Sequence, residues 1–249
     1  SLADAGQKVS TISRRCAAIA YAHRLLGRDS PTNADPVKAV LRGIRRRIGV
    51  AVAQKAPATA RAIARMLKRI PDTLTGKRDR ALLLLGFAAA LRRSELVGLG
   101  LADLERTEAG IIVHIRRSKT DQEGAGRQVP VPHGRWLKPV DAIDAWLAAA
   151  RIHEGPLFRP IAKGGRLQAG ALTDRSVASI IKRHAKAAKL DPEIFSGHSL
   201  RAGFITSALE DGADVLKVMD ITGHRSVQTL KGYDRRAKAF KDHAGKRFL

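Results

Sequence analysis

The spacing of apolar and polar positions divides the chain into two parts. From about Ser10 to Gly27, Ile12, Ile19, Leu25 and Leu26 recur at helical spacing and predict a helix with a broad apolar face. Asp35 reads as an N-cap with Pro36 at the first helical position, opening a second helix through Arg45, Arg46 and Arg47 to about Val52. The stretch Gln54 to Thr59, with Lys55 and Pro57, reads as a linker and places the domain boundary there.

Beyond the linker, a helix is predicted from about Thr59 to Ile70 and a strongly apolar one from about Lys77 to Leu91. After the turn at Gly98 and Gly100 the period changes. Gly110 to Arg116 is rich in Ile and Val, Gln128 to Val131 alternates polar and β-branched residues, and the Gly- and Asp-bearing SKTDQEGAG between them suits a hairpin tip. Helical spacing then returns at about 140 to 151, 174 to 188, 199 to 211 and 213 to 222, with shorter helices to the end. Glu154 to Ala171, with six glycines and prolines, reads as a surface loop. The fold class expected is mainly α with a small antiparallel β-sheet (α+β).

Composition narrows the partner. The 249 residues carry 46 Lys and Arg against 23 Asp and Glu, a net charge of +23 spread along the chain. Such an excess favours a polyanion, because each cation set on a phosphate releases a condensed counterion. A membrane surface is also anionic, but no segment approaches the roughly eighteen apolar residues of a spanning helix. The longest apolar stretch, Ala81 to Leu91, has the length of a core helix. The N-terminal residues, with acidic Asp4, lack the order of a secretory signal. The single cysteine, Cys16, allows no internal disulfide and fits a reducing compartment; it is expected to be a small buried apolar residue. These features together point to an intracellular, cytoplasmic protein that binds nucleic acid.

Two C-terminal segments carry most of the candidate chemistry. GHSLRAGF, Gly197 to Phe204, sets His198 and Arg201 three residues apart, a spacing that shares one face at a helix start. TGHRSVQTLKGY, Thr222 to Tyr233, sets His224 nine residues before Tyr233. Upstream, AALRRSELVGL, Ala89 to Leu99, pairs Arg92 with Glu95, and Lys119 lies at the expected hairpin tip.

Taken singly, each residue has a plainer reading. Arg92 and Glu95 would be an ordinary helix-surface ion pair, the histidines caps or satisfied interior groups, Lys119 a turn lysine and Tyr233 a half-buried aromatic near a chain end. Their occurrence as an ordered set is what changes the weighting. Tyr21, the other tyrosine, has no histidine nine residues upstream and is expected only to pack.

In that order the segments resemble the boxes of the tyrosine site-specific recombinases of the phage integrase type, with a layout similar to the Cre-like simple recombinases. The likeness covers nearly the whole chain from about Val9. It implies a tyrosine recombinase catalytic domain over 56–249, preceded over 1–55 by part of a helical, SAM-like core-binding domain. Two departures stand out: Ala90 replaces the Gly that many members carry before the Leu-Arg pair, and about two helices precede the linker where the family has four or five. The clamp around DNA is expected to be incomplete for that reason.

The resemblance implies a catalytic set of Arg92, Lys119, His198, Arg201, His224 and Tyr233, with Glu95 in support. Physical chemistry gives those residue types sensible roles. Two guanidinium forks offset the charge gathering on a phosphodiester in its transition state. The Tyr233 phenol, with an ordinary pKa of about 10, needs a base to attack near neutral pH, and His198 is the candidate. His224 would hydrogen-bond the phosphate, and Lys119 would protonate the leaving 5′ oxygen. The product would be a 3′-phosphotyrosine bond that conserves the phosphodiester energy, so neither ATP nor metal is expected. In agreement, the sequence has no GxxxxGK[ST] loop and no Cys/His cluster of ligand spacing.

Duplex DNA is therefore the expected partner. The helix from Asp174 to Lys189 would turn Val177, Ile180, Ile181 and Ala185 to the core and offer Arg175, Ser179, Lys182, Arg183 and Lys186 to DNA, with a solvated basic face as the alternative. Arg45, Arg46 and Arg47 are expected to touch phosphates. Phe240, Phe248 and Leu249 would dock the C-terminal helix on a neighbouring subunit of a tetramer. Two further readings stay open at this point: a type IB topoisomerase-like enzyme and a catalytically silent DNA-binding fragment.

Overall fold

The computed structural model describes residues 1–50, 55–116, 126–224 and 226–238. The chain forms two compact units, Ser1–Gln54 and Lys55–Leu249. The class is the one the sequence predicts, helical with one three-stranded antiparallel sheet.

The first unit holds α1 (Val9–Leu25) and α2 (Asp35–Ile48), joined by a short 3-10 turn. Ala34 is the N-cap of α2, and Asp35 is the first helical residue, its carboxylate 3.6 Å from Lys38. The helix stops at Gly49, whose φ of 80° lies in the left-handed region that favours glycine. Ile12 is buried, but Ile19, Leu25 and Leu26 are exposed, so the expected apolar face of α1 is mostly uncovered. Two helices form one layer, which cannot enclose a face from both sides. Cys16 is only half-buried, correcting the expectation of a core position, and Tyr21 is exposed.

The second unit is built around α4 (Leu74–Ala88). Leu82, Leu83 and Leu85 are fully enclosed, so the C-terminal half of the helix is covered on every side. Packed around it are α3 (Ala60–Leu67), α6 (Pro139–Ala150) and α8 (Ser199–Glu210). Strands β1 (Leu104–Thr107), β2 (Gly110–Ile115) and β3 (Arg127–Pro132) pair in that order, with Ile112 opposite Pro130 and Ile115 opposite Arg127. Their inward residues Ile111, Val113, Ile115, Val129 and Val131 join the core. Residues 154–171 are irregular as expected, yet they are anchored. Leu157 and Phe158 are fully buried, and the Leu157 carbonyl accepts the Trp146 indole N–H at 2.8 Å.

Three further helices, α7 (Asp174–Ala187), α9 (Val215–Thr222) and α10 (Val227–Lys238), complete the unit, together with the six-residue α5 (Arg93–Gly98). Val177, Ile180, Ile181 and Ala185 of α7 are buried as predicted. So is His184, which bonds the enclosed Asp79 carboxylate at 2.7 Å. Asp79 also accepts from Arg78 and Arg183. Burial resists its ionisation, but the His184 hydrogen bond and the two guanidiniums outweigh it and hold the carboxyl below its usual range. Among the described residues no helix is long and apolar enough to cross a membrane.

Candidate active site

Two helix ends and two helix starts bring the candidate residues together. Helix α4 closes with Ala89 as C-cap and Ala90 in the left-handed region at φ 49°. Leu91 N–H donates to the Gly86 carbonyl and Ala90 N–H to the Phe87 carbonyl, the pair of bonds that terminates a helix around such a residue. Glycine is the usual occupant, which gives Ala90 its meaning: the turn keeps its shape at a cost of about 1 kcal/mol. The chain then passes directly into Arg92, the N-cap of α5.

Glu95, three residues on, reaches back to this cap. Its Oε2 accepts the Arg92 backbone N–H at 2.9 Å and its Oε1 the Arg92 guanidinium at 2.6 Å. The carboxylate is 1% exposed, so it is a fixed counter-charge that orients Arg92 from below. A second cation shares it. Arg127, the first residue of β3, places Nη2 3.3 Å from Glu95 Oε2 and donates from Nη1 to the Ile221 carbonyl at 2.6 Å.

Arg201 projects from the first turn of α8 and is buried. Its Nη1 donates to the Ala90 carbonyl at 2.9 Å, and its Nη2 lies 3.2 Å from Nε2 and 3.4 Å from Nδ1 of His224. Burial, and then the Arg92 charge, lower its pKa to about 10, with Glu95 opposing. The group therefore stays charged at neutral pH.

His224 follows the C-cap of α9, Gly223, which adopts φ 64° and lets the chain leave the helix sharply. Burial, then the charges of Arg201, Arg92 and Arg127, push the imidazole down to about 4, so it is neutral across the physiological range. Thr222, fully buried, sets its orientation. The Thr222 hydroxyl lies 2.7 Å from His224 Nδ1 and 2.8 Å from the Val218 carbonyl. It has one hydrogen for Nδ1 and the Val218 and Met219 carbonyls, and whether Nδ1 receives it bears on which imidazole nitrogen carries the proton.

Tyr233 lies on α10, half-buried, and packs on the cluster of Ile205, Leu209, Val218 and Leu230. Helix α10 packs on α8, the helix that carries Arg201. His198 is exposed at the N-cap of α8, one turn before Arg201. The structure thus brings together Arg92, Glu95, Arg201 and His224, with Tyr233 on a helix packed against α8 and His198 exposed at the start of α8; Lys119 lies outside the described residues. Sequence reading missed Arg127, Thr222 and the backbone role of Ala90.

The proposed DNA contacts fall into three groups. Arg175, Ser179 and Lys186 are exposed on α7. Lys182 and Arg183 point outward but are engaged, by Glu193 at 2.9 Å and by Asp79 respectively. Arg45, Arg46 and Arg47 are exposed in the last turn of α2, with Arg47 2.7 Å from Asp4.

Comparison with known proteins agrees with this geometry. Residues 57–239 match the model of the phage integrase family. The chain is 39% identical over 243 residues to an integrase/recombinase XerD homolog of Selenomonas ruminantium, covering 95% of this chain and 71% of that protein. It is 34% identical over 173 residues to the tyrosine recombinase XerC of Myxococcus xanthus, covering 66% of this chain and 53% of that one. Among solved structures, the Tn1549 transposon integrase in complex with circular intermediate DNA superposes with a TM-score of 0.66 at 19% identity, over 95% of this chain and 80% of that one. The XerA recombinase gives 0.58 at 19% identity, over 96% and 84%. The structural likenesses speak for the fold, and the family model and the Selenomonas relative for descent: this chain belongs to the phage integrase family.

Proposed function

We propose that this protein is a site-specific DNA recombinase that cleaves and rejoins strands through a 3′-phosphotyrosyl bond to Tyr233. The observation that carries the reading is the convergence of Arg92, Arg201 and His224, from three distant segments, with the helix that carries Tyr233 packed on the helix that carries Arg201. Two buried-side cations and a neutral imidazole suit a transferring phosphoryl group better than any neutral substrate.

In the forward step Tyr233 Oη attacks the scissile phosphorus as His198 takes the phenolic proton. The Oη–P bond forms and the P–O5′ bond breaks, with Lys119 giving the leaving oxygen its proton. Arg92 and Arg201 hold the non-bridging oxygens. With the Thr222 hydrogen turned to Nδ1, and with the Arg201 contact to Nε2 given up to the bound phosphate, the His224 proton would sit on Nε2 and be donated to a phosphate oxygen. The reverse attack by a new 5′ hydroxyl reseals the strand, so the bond energy is conserved and neither ATP nor metal is consumed.

Duplex DNA is the substrate, in keeping with the +23 charge. Residues 1–55 act as part of a core-binding domain and 56–249 as the catalytic domain. Arg45, Arg46, Arg47, Arg175, Ser179, Lys182, Arg183 and Lys186 contact DNA, the last five from α7. Four subunits exchange strands through a Holliday junction, linked by the C-terminal segment, on DNA of the cytoplasmic nucleoid.

The test uses a plasmid carrying two copies of DNA taken from beside the gene. Recombinant junctions that require Tyr233 are expected. Relaxation of supercoils without recombinants would overturn the reading in favour of a topoisomerase, and binding without any strand cleavage would reduce the chain to a DNA-binding fragment.

A further inference from the structure

Among the described residues, Arg127 is the cation of the cluster that the proposed chemistry leaves without a part. A buried guanidinium is costly to maintain, and an apolar side chain would fill the same space at less cost. Its contacts indicate what the charge is for. Nη1 donates to the Ile221 carbonyl at 2.6 Å, fixing the last turn of α9, and Nη2 reaches Glu95 Oε2 at 3.3 Å. The side chain is 18% exposed, and its Nε is buried with no hydrogen-bond partner among the described residues. Its Cδ and Nε pass so close to Gly223 that a Cβ there would come within 3.2 Å and 3.3 Å of them.

One guanidinium therefore joins three elements. It spans the start of β3, the carboxylate that orients Arg92, and the left-handed turn from which His224 emerges. Each terminal nitrogen of Arg127 makes one bond to the protein, which ties the side chain to Glu95 and to the end of α9. It also adds to the positive field that, behind burial, Arg201 and Arg92, keeps His224 neutral.

We propose that Arg127 is a positioning residue for the phosphate clamp, holding Glu95 and the His224 turn in one frame so that Arg92, Arg201 and His224 meet the same phosphodiester. This rests on the recombinase reading above. Loss of the frame leaves each group present but displaced, and a displacement of about 1 Å can cost about 10²-fold in rate.

Two modified duplexes separate this role from a general loss of structure. A methylphosphonate at the scissile position removes the non-bridging charge and so the demand on the clamp. A bridging sulfur in place of the 5′ oxygen removes only the demand for leaving-group protonation. Arg127→Met is expected to slow adduct formation on the ordinary duplex by about 10²-fold. On the methylphosphonate the gap to the parent should shrink to a few-fold, while on the bridging-sulfur duplex it should persist. Arg127→Lys, which keeps a charge and one of the two bonds, should fall between and carries the test if the Met variant does not fold.

An equal deficit on all three duplexes would assign Arg127 a purely structural role, and rescue by sulfur alone would assign it to the leaving-group acid. Either overturns the inference. If the parent protein itself forms no adduct on the ordinary duplex, the recombinase reading fails instead, and the two failures are distinguishable.

Discussion

The Arg201 guanidinium donates to the Ala90 carbonyl at 2.9 Å across 111 residues of sequence. This bond joins the helix that carries one candidate clamp arginine to the turn that launches the other. Ala90 presents its carbonyl because it occupies the left-handed position that ends α4, leaving the oxygen outside the helix. The same guanidinium meets His224 on its other edge. Its planar fork does two jobs at fixed separation.

Lysine cannot replace it. In Arg201→Lys a single ammonium would serve either Ala90 or the phosphate, and adduct formation on a nicked duplex should fall by about 10²- to 10³-fold. DNA binding, measured by gel shift, should change far less, because one phosphate contact among many is altered.

Thr222 is expected to act through the imidazole. Thr222→Val keeps the shape of the side chain but removes the hydroxyl beside Nδ1, leaving the imidazole orientation unspecified. Cleavage should drop by about 10- to 100-fold, while Thr222→Ser retains most of the activity. A Val variant of full activity would show that the imidazole needs no such partner.

The depressed pKa of His224 has a consequence for stability. The native group titrates at about 4 against an ordinary value of 6.5, so the unfolded chain takes up the proton first as pH falls. Stabilisation from keeping the ring neutral is complete above 6.5 and is lost as pH drops toward 4. Allowing for the partial exposure of the ring, the loss between pH 7 and pH 5 is about 1 kcal/mol. Urea unfolding of the parent and of His224→Gln at the two pH values should show the parent losing more. Parallel losses would place the ring in ordinary solvent.

Gly203 permits α8 to approach the segment behind it. A Cβ there would lie 1.9 Å from the Ala58 carbonyl oxygen, and Ala58 N–H donates to the Ser199 carbonyl at 2.8 Å. Gly203→Ala should therefore destabilise by about 1–3 kcal/mol, or more if the contact opens. Gly43→Ala in α2, where the added methyl meets nothing within 4 Å, should instead be neutral or stabilising by up to about 1 kcal/mol. Thermal unfolding of both variants checks the signs.

The cluster residues legible in the sequence were those inside short segments: Arg92 with Glu95, and Arg201 and His224 each within its own box. Their spacing is local and survives without a structure. Arg127 and Asp79 were not legible, because Ile221 lies 94 residues from Arg127 and His184 lies 105 residues from Asp79. Thr222 stood inside a quoted box, but its partner relation depends on how α9 ends. In the fold, α5 is too short for a helical period, and β1 was missed because its residues Glu105, Arg106 and Thr107 are all exposed and show no alternation. The N-cap of α2 lies one residue earlier than expected, at Ala34, which makes no side-chain capping bond.

The most direct test of the central claim is to trap the protein on a nicked duplex of its own site, digest it, and locate the residue that carries the nucleotide by mass spectrometry. The nucleotide should be found on the peptide containing Tyr233, through a phosphate on the phenolic oxygen, and Tyr233→Phe should bind the duplex yet yield no such peptide. A nucleotide attached to Tyr21 or to any other residue, or an adduct that survives in Tyr233→Phe, would contradict it.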